Sequence, residues 1–478
     1  MSRILSRIGI LAALLAAGAA GPAAADDIYN GLQTPHTSWQ LFAGATETDD
    51  ATLAPHGPSD TIATGGVGLS LYRDTGRLQA DVDGSVRYED YLHDTYPGDT
   101  LGSLVGKASY AMVPEYLDWV LQDSYGQLAA NTLLPTTPAN RINGNLGSTG
   151  PDASIPLGGA FDFTLGGRYS QANFQKNPLI PEIDSRSVSG HAGLVDHLST
   201  TSSLSLNVST THLDYLAAGV AGYDQDDAYV RYDLKSRRSG LSLDIGASEV
   251  KDAGVTSRDP LLRLTFYHRL TPSWNINLSA SRQFQNTGQA FGNELTSVRV
   301  VDGQVVPVSP GAPGQPALPG SLSIGQAPFR NDAANVSFSF VRPRTQFDIG
   351  GGYSKIVYPF ASSGLDFTYT QTNADFMRRL RPTLNFHASG AYIRQSPEEA
   401  QPANRTTTAS AGFDWHPGAL LGLTLNYTHV DRTSDAGGVS FVENMVYVGI
   451  TYGPPKPGIQ FAPVGQSQSP GQGAGPTP

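Results

Sequence analysis

The stretch RLQADVDGSVRYE, residues 77–89, contains the pattern that decides the fold of this chain. Its even-numbered residues, from Leu78 to Tyr88, are mostly apolar, and its odd-numbered residues, from Gln79 to Glu89, are all polar. Side chains alternate across an extended strand, so one face of this strand is apolar and the other is hydrated. About twenty similar segments, of roughly 10–14 residues each, recur between residues 37 and 452. Soluble strands are usually about 5–6 residues long, so we predict an all-β fold: a transmembrane antiparallel β-barrel of about 20 strands in a bacterial outer membrane.

The connections between these segments alternate in length. Short connections, such as 74–76 and 114–115, alternate with longer ones, such as 129–145 and 287–331. Transmembrane barrels have short periplasmic turns and longer extracellular loops, and bacterial single-chain barrels have an even number of strands. The alternation therefore predicts that both termini are periplasmic. The first strand and segment 146–156 carry the weakest pattern, so 18 strands is the alternative count.

The two ends of the chain differ from the barrel in composition. Arg3 and Arg7 precede an apolar run that ends in the A-x-A site Ala23-Ala24-Ala25, which predicts a cleaved secretory signal over residues 1–25. We predict a short periplasmic segment over 26–36 and the barrel over 37–453. Residues 454–478 are rich in Pro, Gly and Gln, which predicts a disordered periplasmic tail.

Composition excludes several classes of site. The chain has no cysteine, which rules out disulfides, thiolate metal sites and cysteine nucleophiles. Its formal net charge is −11, which argues against nucleic acid as a partner, because nucleic-acid binding needs a basic face.

The alternation also separates lipid-facing from lumen-facing residues. Tyr and Trp gather near predicted strand ends, as in the interfacial girdles of outer-membrane barrels; among them we place Trp39, Tyr72, Tyr215, Trp274 and Tyr452. The opposite faces are rich in Asp, Asn, Ser, Thr, Arg and Gly. The candidate lumen-lining residues are Asp81, Asp83, Arg87, Asp162, Arg168, Asp244, Asn277, Asp348 and His387. The alternative is that they are ordinary hydrated-face residues without individual roles.

Residues 287–331 form the longest connection. Two β-rich arms around Asp302-Gly303 predict a hairpin within it, over residues 298–306. A connection of this length is usually functional or disordered. We therefore consider two alternatives, a lid folded over or into the pore and a solvated surface loop.

The search for catalytic chemistry yields one weak pattern. His212 with Asp214 and His429 with Asp431 repeat a spacing that places imidazole and carboxylate on one face, as in a general base with its orienting group. There is no matching nucleophile motif, and we predict that the protein is not an enzyme. No spacing of metal ligands is recognisable, so we assign no cofactor and no metal. Asp224, Asp226 and Asp227 could hold calcium, but a solvated acidic loop is the simpler interpretation.

Two stretches carry a resemblance to a known family. Residues 119–128, WVLQDSYGQL, and residues 145–158, NLGSTGPDASIPLG, resemble the outer-membrane β-barrel proteins associated with exopolysaccharide and PEP-CTERM gene clusters in proteobacteria. The resemblance implies a porin-like barrel with a role in exopolysaccharide export, and it carries over no catalytic residue.

These observations give one leading function and two alternatives. The leading hypothesis is an outer-membrane channel, a porin-like component of exopolysaccharide biosynthesis or export. The alternatives are a general diffusion porin for small solutes and a non-channel surface adhesin or scaffold. The expected partners are outer-membrane lipid and the outer-membrane assembly machinery, with polysaccharide and periplasmic export components as further candidates.

Overall fold

The fold was determined from a computed structural model, which describes residues 35–131, 134–177, 180–296, 298–301, 304–307, 325–360, 366–397, 403–435 and 439–454. Twenty long strands form one sheet and two short strands form a hairpin. In chain order the strands are β1 (His36–Thr48), β2 (Asp60–Asp74), β3 (Leu78–Tyr91), β4 (Asp99–Val113), β5 (Leu117–Ala129), β6 (Arg141–Gly158), β7 (Phe161–Phe174), β8 (Ser185–Ser199), β9 (Ser202–Tyr215), β10 (Tyr223–Lys235), β11 (Ser239–Asp252), β12 (Val255–Thr271), β13 (Trp274–Gln285), β14 (Val298–Val301), β15 (Gln304–Pro307), β16 (Phe329–Arg342), β17 (Thr345–Val357), β18 (Phe367–Arg381), β19 (Leu384–Pro397), β20 (Asn404–Trp415), β21 (Leu421–Ser434) and β22 (Phe441–Tyr452).

The large sheet closes into a barrel. Consecutive strands pair antiparallel, β13 pairs with β16 across the hairpin, and β22 pairs back onto β1 from Tyr452 opposite Leu41 to Met445 opposite Thr48. The predicted count of 20 is therefore confirmed, and the alternative of 18 is wrong. Segment 146–156 belongs to a longer strand than expected, β6.

The barrel has a long-loop end and a short-turn end, as the connection lengths predict. The connection between β11 and β12 is the exception at the long-loop end, because it is only Ala253 and Gly254, both with positive φ. The signal peptide, residues 26–34 and the tail beyond Pro454 lie outside the described residues and stay predictions. Among the helices in the described ranges, none has the length and apolar content needed to span a membrane.

The outer face of the barrel is apolar. On β9, Leu204, Leu206 and Val208 are 41–59% exposed and alternate with Ser205 and Asn207. Exposed aromatic residues lie near both ends of the strands; Trp39, Trp119, Trp274, Trp415 and Tyr452 are at the short-turn end, and Tyr88, Tyr169, Tyr353 and Tyr392 are nearer the long-loop end. These rows match the interfacial girdles of transmembrane barrels.

Two aromatic residues placed in the girdles by sequence are on the other face. Tyr72 pairs in register with His36 and stacks on its ring, with centroids 6.2 Å apart, on the polar face of β1 and β2. Tyr215 is only 8% exposed and packs with Leu213 and Tyr223. Position near a strand end was a weaker guide than parity along the strand, because parity decides which side of the sheet a side chain occupies.

The connection after β13 begins with a helix that the sequence analysis did not anticipate. This helix is α1 (Thr287–Thr296), and Asn286 is the capping residue before it. Asn286 Oδ1 accepts a hydrogen bond from the Gln289 backbone N–H at 2.9 Å. In return, Gln289 Oε1 accepts a hydrogen bond from the Asn286 backbone N–H at 3.1 Å. This reciprocal pair has the geometry of a capping box. The predicted hairpin follows as β14 and β15, with Val298 opposite Pro307.

Candidate functional site

The polar faces of the strands point into the barrel. One cluster of buried side chains joins Leu128, Ile142 and Phe174, from the polar faces of β5, β6 and β7, to Phe329 and Ile356, from the polar faces of β16 and β17. Strands β7 to β13 separate β6 from β16 along the wall. Side chains so far apart along the wall can meet only across the interior. The cluster therefore crosses the lumen near the long-loop end.

Helix α1 supplies the centre of this cluster. Phe291 is completely buried, and its ring meets Phe174 edge to face with centroids 5.6 Å apart. Gly144 lies under the ring, and a Cβ at that position would be 2.9 Å from Phe291 Cζ. The glycine thus creates the space that the phenylalanine fills.

Two further glycines let the helix approach the wall closely. Gly288 and Gly292 lie one helical turn apart, and a Cβ on Gly288 would be 2.9 Å from Ala172 Cβ. A Cβ on Gly292 would collide with Leu146 on β6. Although glycine weakens a helix, here it allows α1 to lie against β6 and β7. Residues 287–292 are therefore folded into the barrel, in agreement with the lid alternative and against the solvated loop for this part of the connection.

Other loops at the same end also turn inward. Leu53, in the loop between β1 and β2, is 5% exposed and packs on Val430, Phe441 and Met445 of β21 and β22. The loop between β5 and β6 reaches back toward earlier strands of the wall, where Pro138 lines a cavity of about 40 Å³ with residues of β1, β3 and β22. About 10–15 Å³ of such space is enough to hold one water molecule, so this cavity has room for water.

A buried ion-pair network also helps to hold this second set of inward-turning loops against the wall. Glu89 on β3 accepts from Arg87 at 3.1 Å and from Arg141, at the start of β6, at 3.2 Å. All three side chains are 4–7% exposed. Because a buried charge without a partner is costly, the network ties β3 to β6 in this arrangement.

The sequence-predicted lumen residues all occupy inner-face register positions. They do not form one site but lie in separate groups around the wall. Arg87 belongs to the network with Glu89 and Arg141. The other charged members and their ionic or hydrogen-bonding partners are Arg168 with Asp152, Asp162 with His197, Asp244 with Arg231 and Arg263, and His387 with Asp414 and Asn426. Asn277 donates to Ser337, Asp348 accepts from Gln346, and Asp81 and Asp83 lie opposite Lys107 and Val105. Their individual roles stay predictions.

Three strands of the inner wall are mostly uncharged. Strands β9, β13 and β16 present only hydroxyl, amide and small side chains over most of their inner faces; the residues are Ser203, Ser205, Asn207, Ser209, Thr211, Asn275, Asn277, Ser279, Ser281, Gln283, Asn335, Ser337 and Ser339. Asn277 and Ser279 are partly exposed, which indicates a hydrated wall below the closure. Such a wall offers hydrogen bonds without a fixed charge.

The sequence analysis did not identify the side chains that pack across the lumen at the long-loop end. It also did not identify the two arginines around Asp244. The spacing of Asn286 and Gln289 was an available signal for α1. Arg231 and Arg263 occupy inward-facing positions in the alternation of β10 and β12, so the pattern that selected Asp244 could also have identified them. No local signal identified Gly144 as the seat of Phe291, because the two residues meet only in three dimensions.

The His-x-Asp pairs do not face the lumen. His212 Nε2 lies 3.2 Å from Asp214, and His212 Nδ1 lies 2.7 Å from Asp224, on the lipid-facing parity of β9 and β10. His429 contacts Asn444 Oδ1 at 2.9 Å on the outer parity of β21. Within the described part of the chain, no group of three or more His, Asp or Glu residues is arranged to hold a metal ion.

Closure, even strand number, an apolar exterior and aromatic rows together define the class. The protein is a 20-stranded transmembrane β-barrel of the bacterial outer membrane, since only a closed barrel satisfies every strand backbone group within a bilayer.

Comparison with known proteins does not assign the chain to a family. No protein-family model matches the chain, and no curated protein matches its sequence. Among solved structures, the siderophore receptor PirA from Acinetobacter baumannii is 10% identical with a TM-score of 0.47, covering 88% of this chain and 81% of the receptor. PirA from Pseudomonas aeruginosa is 11% identical with a TM-score of 0.43 over the same shares. The FrpB iron transporter from Neisseria meningitidis is 9% identical with a TM-score of 0.42, over 88% and 82%. No functional residue is transferred from these structures.

Proposed function

We propose that this protein is an outer-membrane channel for a hydroxyl-rich polymer, an exopolysaccharide on its way out of the cell. The uncharged, hydrogen-bonding inner wall of β9, β13 and β16 supports this proposal. Sugar hydroxyls both donate and accept hydrogen bonds, and Ser, Asn and Gln side chains can do the same. These three uncharged inner faces let many weak contacts form and break along a sliding chain.

We further propose that α1 is the lid of this channel. It is held by side-chain packing, chiefly of Phe291 over Gly144, and by hydrogen bonds that include the one from Asn286 Nδ2 to Tyr223 Oη at 3.0 Å. Replacement of a buried Phe by Ala typically costs about 3–5 kcal/mol. If that packing belongs to the closed state alone, its loss shifts the equilibrium toward the open state by roughly a hundredfold or more.

The test is single-channel conductance of refolded protein, residues 26–478, in planar bilayers, with dextrans of graded size as blockers. We expect the native protein to be closed for most of the time and Phe291→Ala to give large steps that dextran blocks. Phe161→Ala is the matched control, because Phe161 is 45% exposed on the outer face of β7 and should leave gating unchanged.

A deletion gives the complementary result. Thr287 Oγ1 lies 3.0 Å from the Gly325 carbonyl oxygen, so a short Gly-Ser linker can join these residues in place of 288–324. We expect this variant to be open. Identical conductance in the native protein, Phe291→Ala and the deletion would refute the lid. A folded deletion variant that conducts nothing would refute the channel and favour an adhesin or scaffold, while steps that only small solutes pass would favour a diffusion porin.

A further inference from the structure

One charged group stands apart on the inner wall, in a row that crosses β10, β11 and β12. Asp244 lies opposite Arg231 on one side and opposite Arg263 on the other. The row ends at hydroxyls, since Ser205 lies opposite Arg231 and Ser281 opposite Arg263.

Asp244 is enclosed by the two guanidinium groups. Its side chain is 2% exposed, and it accepts from Arg231 Nε at 2.7 Å and Nη2 at 2.9 Å in a bidentate pair. Arg263 Nη1 lies 3.4 Å from Asp244 Oδ2, the oxygen that also accepts from Arg231 Nη2. The ring of Tyr229 supports the same group, with Arg263 Cζ 4.9 Å from the ring centroid.

This arrangement leaves positive charge and donors available to the lumen. Two guanidinium groups share one carboxylate, and each guanidinium carries five N–H donors, more than Asp244 can accept. Arg231 is 21% exposed and Arg263 is 26% exposed, while Asp244 is covered. By contrast, Arg282 and Arg330 are matched by two carboxylates, Asp259 and Asp332.

We propose that the Arg231–Asp244–Arg263 row binds the carboxylate of an acidic sugar, so that the exported polymer contains uronic acid residues. The inference rests on the proposed channel function. Planar guanidinium groups held in place match the geometry of a carboxylate, and the flanking Ser205 and Ser281 hydroxyls suit sugar hydroxyls. Asp233 lies two residues further along the same face of β10 and repels an anion. The site therefore binds weakly, as a sliding polymer requires.

The experiment is calorimetric titration of refolded protein, residues 26–478, in detergent, with trigalacturonate and with maltotriose as the neutral control. We expect binding of trigalacturonate only, weakened by added salt. Arg263→Gln removes donors to the ligand but leaves the bidentate Arg231–Asp244 pair, and we expect roughly tenfold weaker binding. Arg258→Gln is the matched control, because Arg258 is on the same strand but 76% exposed on the outer face.

A second variant guards against misfolding. Arg231→Gln alone would strip Asp244 of its bidentate partner, so it is combined with Asp244→Asn, which removes the buried charge as well. We expect this double variant to fold and to lose trigalacturonate binding. Equal binding of both sugars, no binding by folded native protein, or unchanged affinity in Arg263→Gln would overturn the proposal. Failure of the conductance experiment, with binding intact, would instead reject the channel function.

Discussion

At the scale of single residues, glycine decides where this barrel can pack closely. Gly144 makes room for Phe291, and Gly288 and Gly292 let α1 lie on the wall. A third case is the seam between β1 and β22, where Gly44 pairs with Gly449 and the ring of Tyr447 covers both from inside. In each case a side chain from another part of the chain fills the space that a Cβ would occupy, so the glycine contributes to packing density.

The seam glycine gives a prediction on stability. A Cβ on Gly44 would lie 2.6 Å from Tyr447 Cε2, so Gly44→Ala must displace a ring that is 8% exposed. We expect a loss of about 1–3 kcal/mol, the usual cost of overpacking, measured as a lower urea midpoint for unfolding from detergent. Gly65→Ala is the control, because its Cβ would meet nothing closer than 3.9 Å. Equal midpoints for the two variants would contradict this account.

At the scale of the strand, the period of two is the dominant constraint. Every second side chain meets lipid, so polar substitutions have opposite consequences at neighbouring positions. The pattern weakens at the long-loop end of β13. There Phe284 has the lipid-facing parity, yet it is 3% exposed and packs with Leu213, Tyr223 and Val250 from inner faces. The alternation of faces therefore fails where this strand end packs against inward-facing side chains of other strands.

Two neighbouring substitutions test the alternation on β9. Val208 is 50% exposed on the outer face, and we expect Val208→Arg to destabilise the barrel in bilayers by about 2–4 kcal/mol, the range for arginine near the bilayer centre. Asn207→Arg places the same side chain in the hydrated lumen and should cost much less. The measurement is the free energy of folding into lipid vesicles. A larger loss for Asn207→Arg would reverse the assigned faces.

At the scale of the whole molecule, closure makes the long strands compatible with a membrane. A sheet edge in lipid leaves backbone N–H and C=O groups without partners, each at a cost of several kcal/mol. The β1–β22 pairing removes both edges, and its partners are separated by nearly the whole chain. The last strand therefore decides whether the other nineteen can remain in the bilayer.

Two truncations separate the last strand from the tail. A chain ending at Pro454 retains β22 and the hydrogen bond from the Gly453 N–H to the Leu420 carbonyl at 2.9 Å, so we expect it to fold like the longer protein. A chain ending at Ser440 lacks β22 and should not form a closed barrel. Protease resistance and the heat-dependent shift in gel mobility report the difference. Protease-resistant barrels from the shorter chain would show that β22 is dispensable.

The sequence by itself determined the barrel, a count of about 20 strands, the ends with long and short connections, and the alternation that separates the two faces of each strand. These follow from alternation and turn residues, which are local and repeat in every strand. It also indicated the β14–β15 hairpin, because an Asp-Gly turn between β-rich arms is a local signal.

Only the tertiary structure showed which side chains pack across the lumen near the long-loop end and where the inner charges gather. Phe291 and Gly144 are remote in sequence, as are Leu53 and Phe441, so no local pattern links them. Likewise, the register of three strands was needed to place Asp244 between Arg231 and Arg263. Alternation assigns each side chain to a face, but the packing partners on that face depend on closure of the sheet and on how its loops fold back into the lumen.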